Sequence, residues 1–255
     1  ADRTMVLEAP HALWPTLLSL GDPRAALEHS IEGTAQYGAG VQRSPGPLYG
    51  NHDPGVCGLY FGAWALSLLG RGDRAVEMSH QAIALARQQA HPFSEALALF
   101  FAAAVHQCRG EPAATRERAE TAAGLAQAHG FVLVLAWATT LLGWAISRQG
   151  QVDDGIATIR RGMAATQKSG SEQFRSYFLG LLADACAFAG RVEEGRAAVR
   201  EALAAAARTG ERFYEAELYR LEGELASAEH PMLKALEVAR GQGARALELR
   251  AALSI

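Results

Sequence analysis

Side chains able to catalyse a reaction are present in this sequence, but their spacing matches no catalytic or metal-binding motif. The eight histidines are scattered along the chain. No phosphate loop, dinucleotide fingerprint, H-E-x-x-H, C-x-x-C or nucleophile elbow occurs. His106 stands where a packing residue is expected, and Asp153 with Asp154 is typical of a helix start. The sequence therefore predicts no catalytic residue, no cofactor and no metal site.

Large aromatic side chains are the residues most able to bind a ligand. Tyr and Trp are favoured anchors of binding sites, and a soluble surface rarely exposes many of them together. Two charged residues near them could orient a polar end of a ligand. The candidate binding residues are Tyr60, Trp64, Phe100, Gln107, Trp137, Thr140, Trp144, Arg148, Tyr177 and Asp184. Together they predict a groove for a peptide or another ligand.

A ladder of glycines gives these residues fixed positions in a repeat. One glycine recurs every 40 residues, and a second series of small residues runs 20 residues behind it. Other small residues recur seven before and five and twelve after each first-series glycine, where two antiparallel helices must approach closely. Each interval therefore predicts a helix, a turn and a second helix. The two series are Gly70, Gly110, Gly150 and Gly190, and Ala90, Gly130, Gly170 and Gly210.

The ladder divides residues 1–255 into about six hairpins of one repeat domain. The approximate repeats are 5–37, 53–89, 91–129, 131–169, 171–209 and 211–241, followed by the start of a further helix at 244–255. Residues 38–52, rich in Gly and Pro, predict the one long loop, and Asp53 with Pro54 predicts the next helix start.

Two places break the repeat. Trp14, followed by Pro15, stands where a small residue is expected, so we expect the first helix to be irregular or to act as a cap. In the sixth repeat His230 replaces the expected glycine. Either the second helix is about seven residues short, or loop residues near 227–232 are absent from the chain.

The positions of the small residues resemble the tetratricopeptide (TPR) pattern. That family usually repeats every ~34 residues, so each helix here would be longer by about one turn. The resemblance implies an all-α, right-handed α-α superhelix, a TPR-like solenoid whose first helices line a concave surface, and the family's register places the candidate residues there. Two interpretations stay open: the aromatics line a groove, or long helices curl the solenoid so tightly that the aromatics pack as core.

Composition narrows the function classes. The net charge is −3, without the basic stripe of a nucleic-acid binder. Three cysteines in helical segments favour a reducing compartment over a disulfide framework. No stretch predicts a membrane span or a signal peptide. We therefore expect a cytoplasmic protein, and the chain begins and ends within the repeat pattern as a fragment of a longer protein would.

Several longer stretches resemble the C-terminal repeat region of large bacterial signalling proteins. In that family an adenylate/guanylate cyclase domain and a STAND-type ATPase precede a repeat array. The matching stretches are residues 49–56, 63–70, 91–93, 210–223, 235–240 and 247–252. The cyclase and ATPase motifs are absent here, so the resemblance implies neither activity for this chain.

The leading functional hypothesis is a non-enzymatic interaction and sensor module of a bacterial signal-transduction protein. It would bind a peptide, a protein partner or another domain of the same polypeptide in the aromatic groove, without nucleic-acid or membrane partners. One alternative is a small-molecule effector domain of a STAND-type regulator. Another is a purely structural or oligomerisation arm.

Overall fold

The chain forms a succession of antiparallel helical hairpins. The computed structural model describes residues 3–38 and 52–255, and within these ranges every regular element is an α-helix. The helices are α1 (Arg3–Ser19), α2 (Pro23–Gly38), α3 (Pro54–Leu68), α4 (Gly72–Gln88), α5 (Pro92–Cys108), α6 (Pro112–His129), α7 (Val132–Arg148), α8 (Val152–Lys168), α9 (Arg175–Phe188), α10 (Val192–Thr209), α11 (Glu215–Ala226), α12 (Glu229–Gln242) and α13 (Arg245–Ser254). The predicted all-α repeat fold is confirmed.

The predicted turns lie where the glycine ladder places them. Every glycine of the ladder has a positive φ, between 69° and 95°, a conformation that costs glycine nothing and other residues strain. Ala90 adopts it as well, with φ 50°. Asp53 caps α3 as predicted, because its Oδ1 accepts the N–H of Val56 at 2.9 Å and Pro54 occupies the first turn. Most of the predicted loop 38–52 lies outside the described residues.

Small residues bring the two helices of a hairpin into backbone contact. A Cβ added to Gly143 on α7 would lie 2.5 Å from the N atom of Ile159 and 2.7 Å from the carbonyl oxygen of Gly155. A Cβ on Gly162 would lie 2.7 Å from the carbonyl oxygen of Ala136. Real carbon atoms do not approach backbone so closely. The spacing of small residues therefore sets the distance between α7 and α8.

The first helix corrects one expectation. We expected Trp14 and Pro15 to make it either irregular or a cap, and the first alternative is wrong because α1 is continuous from Arg3 to Ser19. Trp14 is fully buried and donates its indole N–H to Sγ of Cys57 at 3.4 Å. Its ring passes 3.8 Å from the place of a Cβ on Gly58. The missing side chain on α3 makes room for the large one on α1.

The sixth hairpin corrects a second expectation, that its second helix alone is short. Its shortage is shared between both helices, since α11 has 12 residues and α12 has 14, against 17 or 18 in α5 to α8. The turn falls at Ser227, which has φ 50°. Ala228 then donates its N–H to the carbonyl oxygen of Gly223 at 3.0 Å. A tight turn therefore joins the two helices, and each is shorter by about one turn. Whether loop residues are absent from the chain stays a prediction.

The array curls until its last hairpin meets its first two. Arg212, just before α11, donates its backbone N–H to the carbonyl oxygen of Ser19 at the end of α1, at 2.6 Å. Gln242 donates its amide N–H to the carbonyl oxygen of Arg212 at 2.8 Å. Gly70, at the end of α3, lies against Arg245 of α13. The array therefore closes on itself, and the inner faces of the odd-numbered helices face one another.

None of the helices in the described ranges combines the length and the apolar composition that a bilayer crossing requires.

The close approach of α7 and α8 can be tested with one substitution at two sites. Gly162→Ala places a methyl group against the backbone of α7, so we expect it to lower the free energy of unfolding by about 1–3 kcal/mol. Gly124→Ala, in α6 with nothing within 4 Å of the added carbon, should raise it by about 0.5–1 kcal/mol. Urea unfolding of both variants measures the two changes, and a stabilising Gly162→Ala would contradict the described helix contact.

Candidate functional site

The inner face of the array is filled by aromatic side chains. Trp64 lies at the centre, with its ring centroid 5.4 Å from that of Phe101, 5.4 Å from Phe174, 5.5 Å from Tyr177 and 4.7 Å from Phe213. All four contacts are edge-to-face, an arrangement that adds about 0.5–1.5 kcal/mol per pair beyond area burial. The structure thus favours the second interpretation, in which these aromatics pack on one another.

The predicted aromatic residues are enclosed within this cluster or at its edge. Phe100 and Tyr177 are fully buried, and Trp64 has only 1% of its surface exposed. Tyr177 donates its hydroxyl to Oε1 of Gln107 at 2.9 Å, which joins α9 to α5. Of the predicted residues, Tyr60 and Trp137 also line the cavity described below. The others are buried, except Arg148, which is exposed, and Asp184, which is partly buried. An open groove along all of them is a prediction that this structure does not support.

Three predicted residues interact with each other on α7 and α9. Trp144 donates its indole N–H to Oδ2 of Asp184 at 2.7 Å. Arg148 lies 3.9 Å from Oδ1 of the same carboxylate, and its guanidinium stacks 4.6 Å from the centre of the Phe188 ring. The polar residues expected to orient a ligand are therefore occupied by partners within the protein.

Thr140 corrects the register. Although predicted to face the concave side, it is fully buried against Gly162 of α8, and its hydroxyl donates to the carbonyl oxygen of Ala136 at 3.1 Å. Thr140 fills the space left by Gly162 at the closest approach of the hairpin, so it contributes to packing between α7 and α8.

Phe174 is the core residue that the sequence did not reveal. It lies just before α9, is 2% exposed, and contacts Trp64, Phe100 and Trp137. Its φ is 63°, which is strained for a residue with a large side chain. The predicted repeat begins at residue 171, but the strained turn delays the start of α9 to Arg175. No helix pattern signals a buried aromatic in a turn.

A buried glutamate holds this turn in place. Glu211 accepts the backbone N–H of Phe174 at 2.8 Å and the hydroxyl of Ser176 at 2.7 Å. Its carboxylate thereby occupies the start of α9, where the helix dipole favours an anion. Burial raises the pKa of Glu211 above its ordinary value, and the two hydrogen bonds only partly oppose this effect.

An apolar cavity of about 310 Å³ opens beside the aromatic cluster. It is bounded by residues of α1, α3, α5 and α7 and by the turn before α9. Apart from two histidines, a cysteine, a tyrosine and a glutamine, its walls are apolar. The lining residues are His11, Pro15, His52, Cys57, Tyr60, Phe61, Phe93, Leu97, Phe101, Leu133, Val134, Trp137 and Gln173. This cavity is the candidate binding site.

One corner of the cavity gathers three side chains that the sequence analysis did not connect. Nε2 of His11 lies 2.8 Å from Nε2 of His52, and the ligand-capable atoms of both histidines and of Cys57 lie within 4.8 Å of one another. Burial raises the pKa of the Cys57 thiol to about 12. Burial also lowers the pKa of His11, although the nearby charge of Asp53 opposes this shift.

The repeat register contained a signal for this corner. Cys57 stands thirteen residues before Gly70, as the candidate Trp137 does before Gly150. His11 stands ten before Gly21, at the position of Tyr60 in the next repeat. Applying the register to the first hairpin would have placed His11 on the inner face. His52 precedes α3 and follows no helical pattern, so nothing in the spacing predicted it.

Charged residues occupy a different part of the inner face. Glu217 of α11 is 1% exposed, with Arg220 at 2.8 Å and Arg250 of α13 at 3.1 Å. The charge of Glu217 raises the pKa of Arg250. Breaking a buried ion pair of this kind is strongly destabilising, because removal of one partner leaves the other charge buried and uncompensated. It ties α13 to α11.

Comparison with known proteins agrees with this architecture. No family model matches the chain, and no curated protein matches it. Among solved structures, a Rap protein complexed with Competence and Sporulation Factor superposes with a TM-score of 0.64 at 13% identity, over 95% of this chain and 66% of that one. The chain has a TPR-like helical-repeat fold.

Two further structures share that fold. PlcR of Bacillus thuringiensis, in complex with the peptide PapR7 and DNA, has a TM-score of 0.56 at 12% identity over 94% of both chains. A STAND protein with a tetratricopeptide repeat sensor from Pyrococcus horikoshii has a TM-score of 0.51 at 10% identity, over 97% of this chain and 39% of that one. At these identities the likeness concerns the fold.

The contribution of Glu211 to the free energy of unfolding depends on pH. The pKa of Glu211 is raised above its ordinary value of 4.5 in the folded protein. Between these two pKa values the folded protein binds more protons than the unfolded chain, so its free energy of unfolding falls as pH rises. Glu211→Gln cannot titrate. We therefore expect the free energy of unfolding of the native protein, minus that of the variant, to decrease from pH 4.5 upward and then level off. Urea titrations across pH 4–8 measure it; an increase would be the wrong sign.

Proposed function

We propose that this chain is a non-catalytic binding module that holds an apolar anchor group of a peptide or partner protein in the cavity beside Trp137. The cavity itself carries the proposal: its walls are mostly apolar, and aromatic residues line it. Side chains with a large apolar surface are the usual anchors of peptide recognition. The ligand anchor we expect is an aromatic or branched aliphatic side chain.

Cavity size limits how much of a partner can enter. About 310 Å³ lies at the low end of the roughly 300–1,000 Å³ typical of ligand pockets. An extended peptide running along the whole inner face would have to displace the aromatic cluster around Trp64. One or two anchor side chains fit the cavity without such a change, so the rest of the partner would lie outside it.

Structural neighbours support a peptide as the ligand. The complex of PlcR contains the peptide PapR7, and the Rap conjugation gene regulator of plasmid pLS20, in complex with the Phr* peptide, shares the fold with a TM-score of 0.62 at 11% identity. A role as the sensor of a bacterial signalling protein with cyclase or STAND ATPase domains, in the cytoplasm, remains part of the proposal. The STAND protein with a repeat sensor is consistent with it.

A small-molecule effector is the second candidate. The specific observation in its favour is that protein encloses the cavity on several sides, with His11, His52 and Gln173 as polar groups in an apolar wall. A few polar groups in an apolar pocket are typical of small-molecule sites. The purely structural arm, the third hypothesis, needs no cavity.

A cavity-filling substitution tests the proposal. Leu133 is partly buried at the cavity wall, so Leu133→Trp should fill the cavity and weaken binding of a selected peptide at least 10-fold, or about 1.4 kcal/mol. The peptide comes from a displayed random library selected on the native chain, and isothermal titration measures its affinity. Leu233→Trp, on α12 where Leu233 is 50% exposed, is the matched control and should bind normally.

The outcomes separate the hypotheses. Equal affinity of both tryptophan variants would place peptide binding elsewhere and contradict the proposal. If no peptide is selected, but apolar fragments raise the melting temperature of the native chain and not of Leu133→Trp, the small-molecule effector replaces the peptide. If neither class binds, the structural arm is the remaining hypothesis.

A further inference from the structure

We propose that His11, His52 and Cys57 bind one Zn²⁺ ion at the wall of the apolar cavity. Their ligand-capable atoms already lie within 4.8 Å of one another, on two elements far apart in sequence. The inference does not rest on the proposed peptide binding, because the ion would bind to the chain alone, although the site lies in the wall of the same cavity.

The donor set suits zinc. Two imidazole nitrogens and one sulfur are borderline and soft ligands, which zinc prefers over the oxygen ligands favoured by magnesium and calcium. Zinc sites with three protein ligands keep the fourth position for water or for a ligand. Here the three residues belong to the lining of the cavity, so a donor group of a cavity ligand could take that position.

The two histidine nitrogens need only a small adjustment. Zinc–nitrogen bonds of about 2.0–2.1 Å in a tetrahedral site hold two nitrogens roughly 3.3 Å apart. Nε2 of His11 and Nε2 of His52 are 2.8 Å apart, so the rings would separate by about half an ångström. His52 lies outside the regular part of α3, immediately before its cap residue Asp53.

Neighbouring groups would support the ligands. The indole N–H of Trp14 donates to Sγ of Cys57 at 3.4 Å. Donors placed in this way stabilise a metal-bound thiolate. Asp53, whose charge acts on His11, is held by the hydroxyl of Tyr37 at 2.8 Å and by the N–H of Val56. Cys57 would bind as thiolate and release its proton to solvent.

A competing account is a histidine pair that shares one hydrogen bond without any metal. The purified full chain, stripped with a chelator, is titrated with Zn²⁺ against a chromophoric chelator, and bound metal is counted by mass spectrometry. We expect one Zn²⁺ per chain. Co²⁺ as a probe should give the absorption of a tetrahedral site with a sulfur-to-cobalt charge-transfer band.

Variants assign the ligands. Cys57→Ser should abolish the charge-transfer band, and His52→Ala should weaken Zn²⁺ binding by more than the 10–100-fold typical of outer-shell changes. His52 is partly exposed, so its replacement keeps the test valid if Cys57→Ser does not fold. The matched controls, Cys186→Ser and His129→Ala, should bind as the native chain does. Absence of Zn²⁺ uptake at micromolar concentration, or uptake unchanged in both ligand variants, would overturn the proposal.

Discussion

The contact between the first and last hairpins is the constraint on which the interior depends. The hydrogen bond from Arg212 to Ser19 and the packing of Gly70 on Arg245 bring the two ends of the array together. Once the ends meet, the inner faces of the odd-numbered helices face one another, with the cavity of about 310 Å³ at one side. Side chains that would line a groove in an open superhelix must pack on one another, and the rings around Trp64 do so.

Energetics explain why the aromatic cluster stays closed. Burial of a large apolar side chain contributes roughly 1.5–3 kcal/mol, and edge-to-face pairs add about 0.5–1.5 kcal/mol each. Opening a groove that exposes four or five of these rings would cost on the order of 10 kcal/mol, which is comparable to the whole folding free energy of a typical domain. A ligand that uses the existing cavity avoids that cost, and this is why the proposed function rests on the cavity.

The sequence predicted the local structure well and the global curvature poorly. Small residues at fixed distances from the glycines identified the turns and the close approach of α7 and α8, because both depend on interactions within one hairpin. The closure of the array depends on small rotations summed over six hairpins. The spacing of residues within one hairpin does not predict that sum. The candidate aromatic residues are buried, but the spacing alone could not distinguish core from groove.

The candidate site was predictable only in part, for the same reason. Tyr60 and Trp137 lie at the cavity as the register suggested. Phe174 enters the core from a strained turn, and His52 reaches His11 from the segment before α3, so neither follows a helical period. Side chains from such segments become visible only when the packing of whole helices is known.

Collisional quenching of tryptophan fluorescence by acrylamide tests the central claim, the closed inner face, most directly. All four tryptophans, Trp14, Trp64, Trp137 and Trp144, are at most 5% exposed. The account predicts weak quenching of the native protein that rises to the level of free tryptophan on unfolding in urea. Strong quenching of the native protein, close to that of the unfolded chain, would show an open superhelix and contradict it.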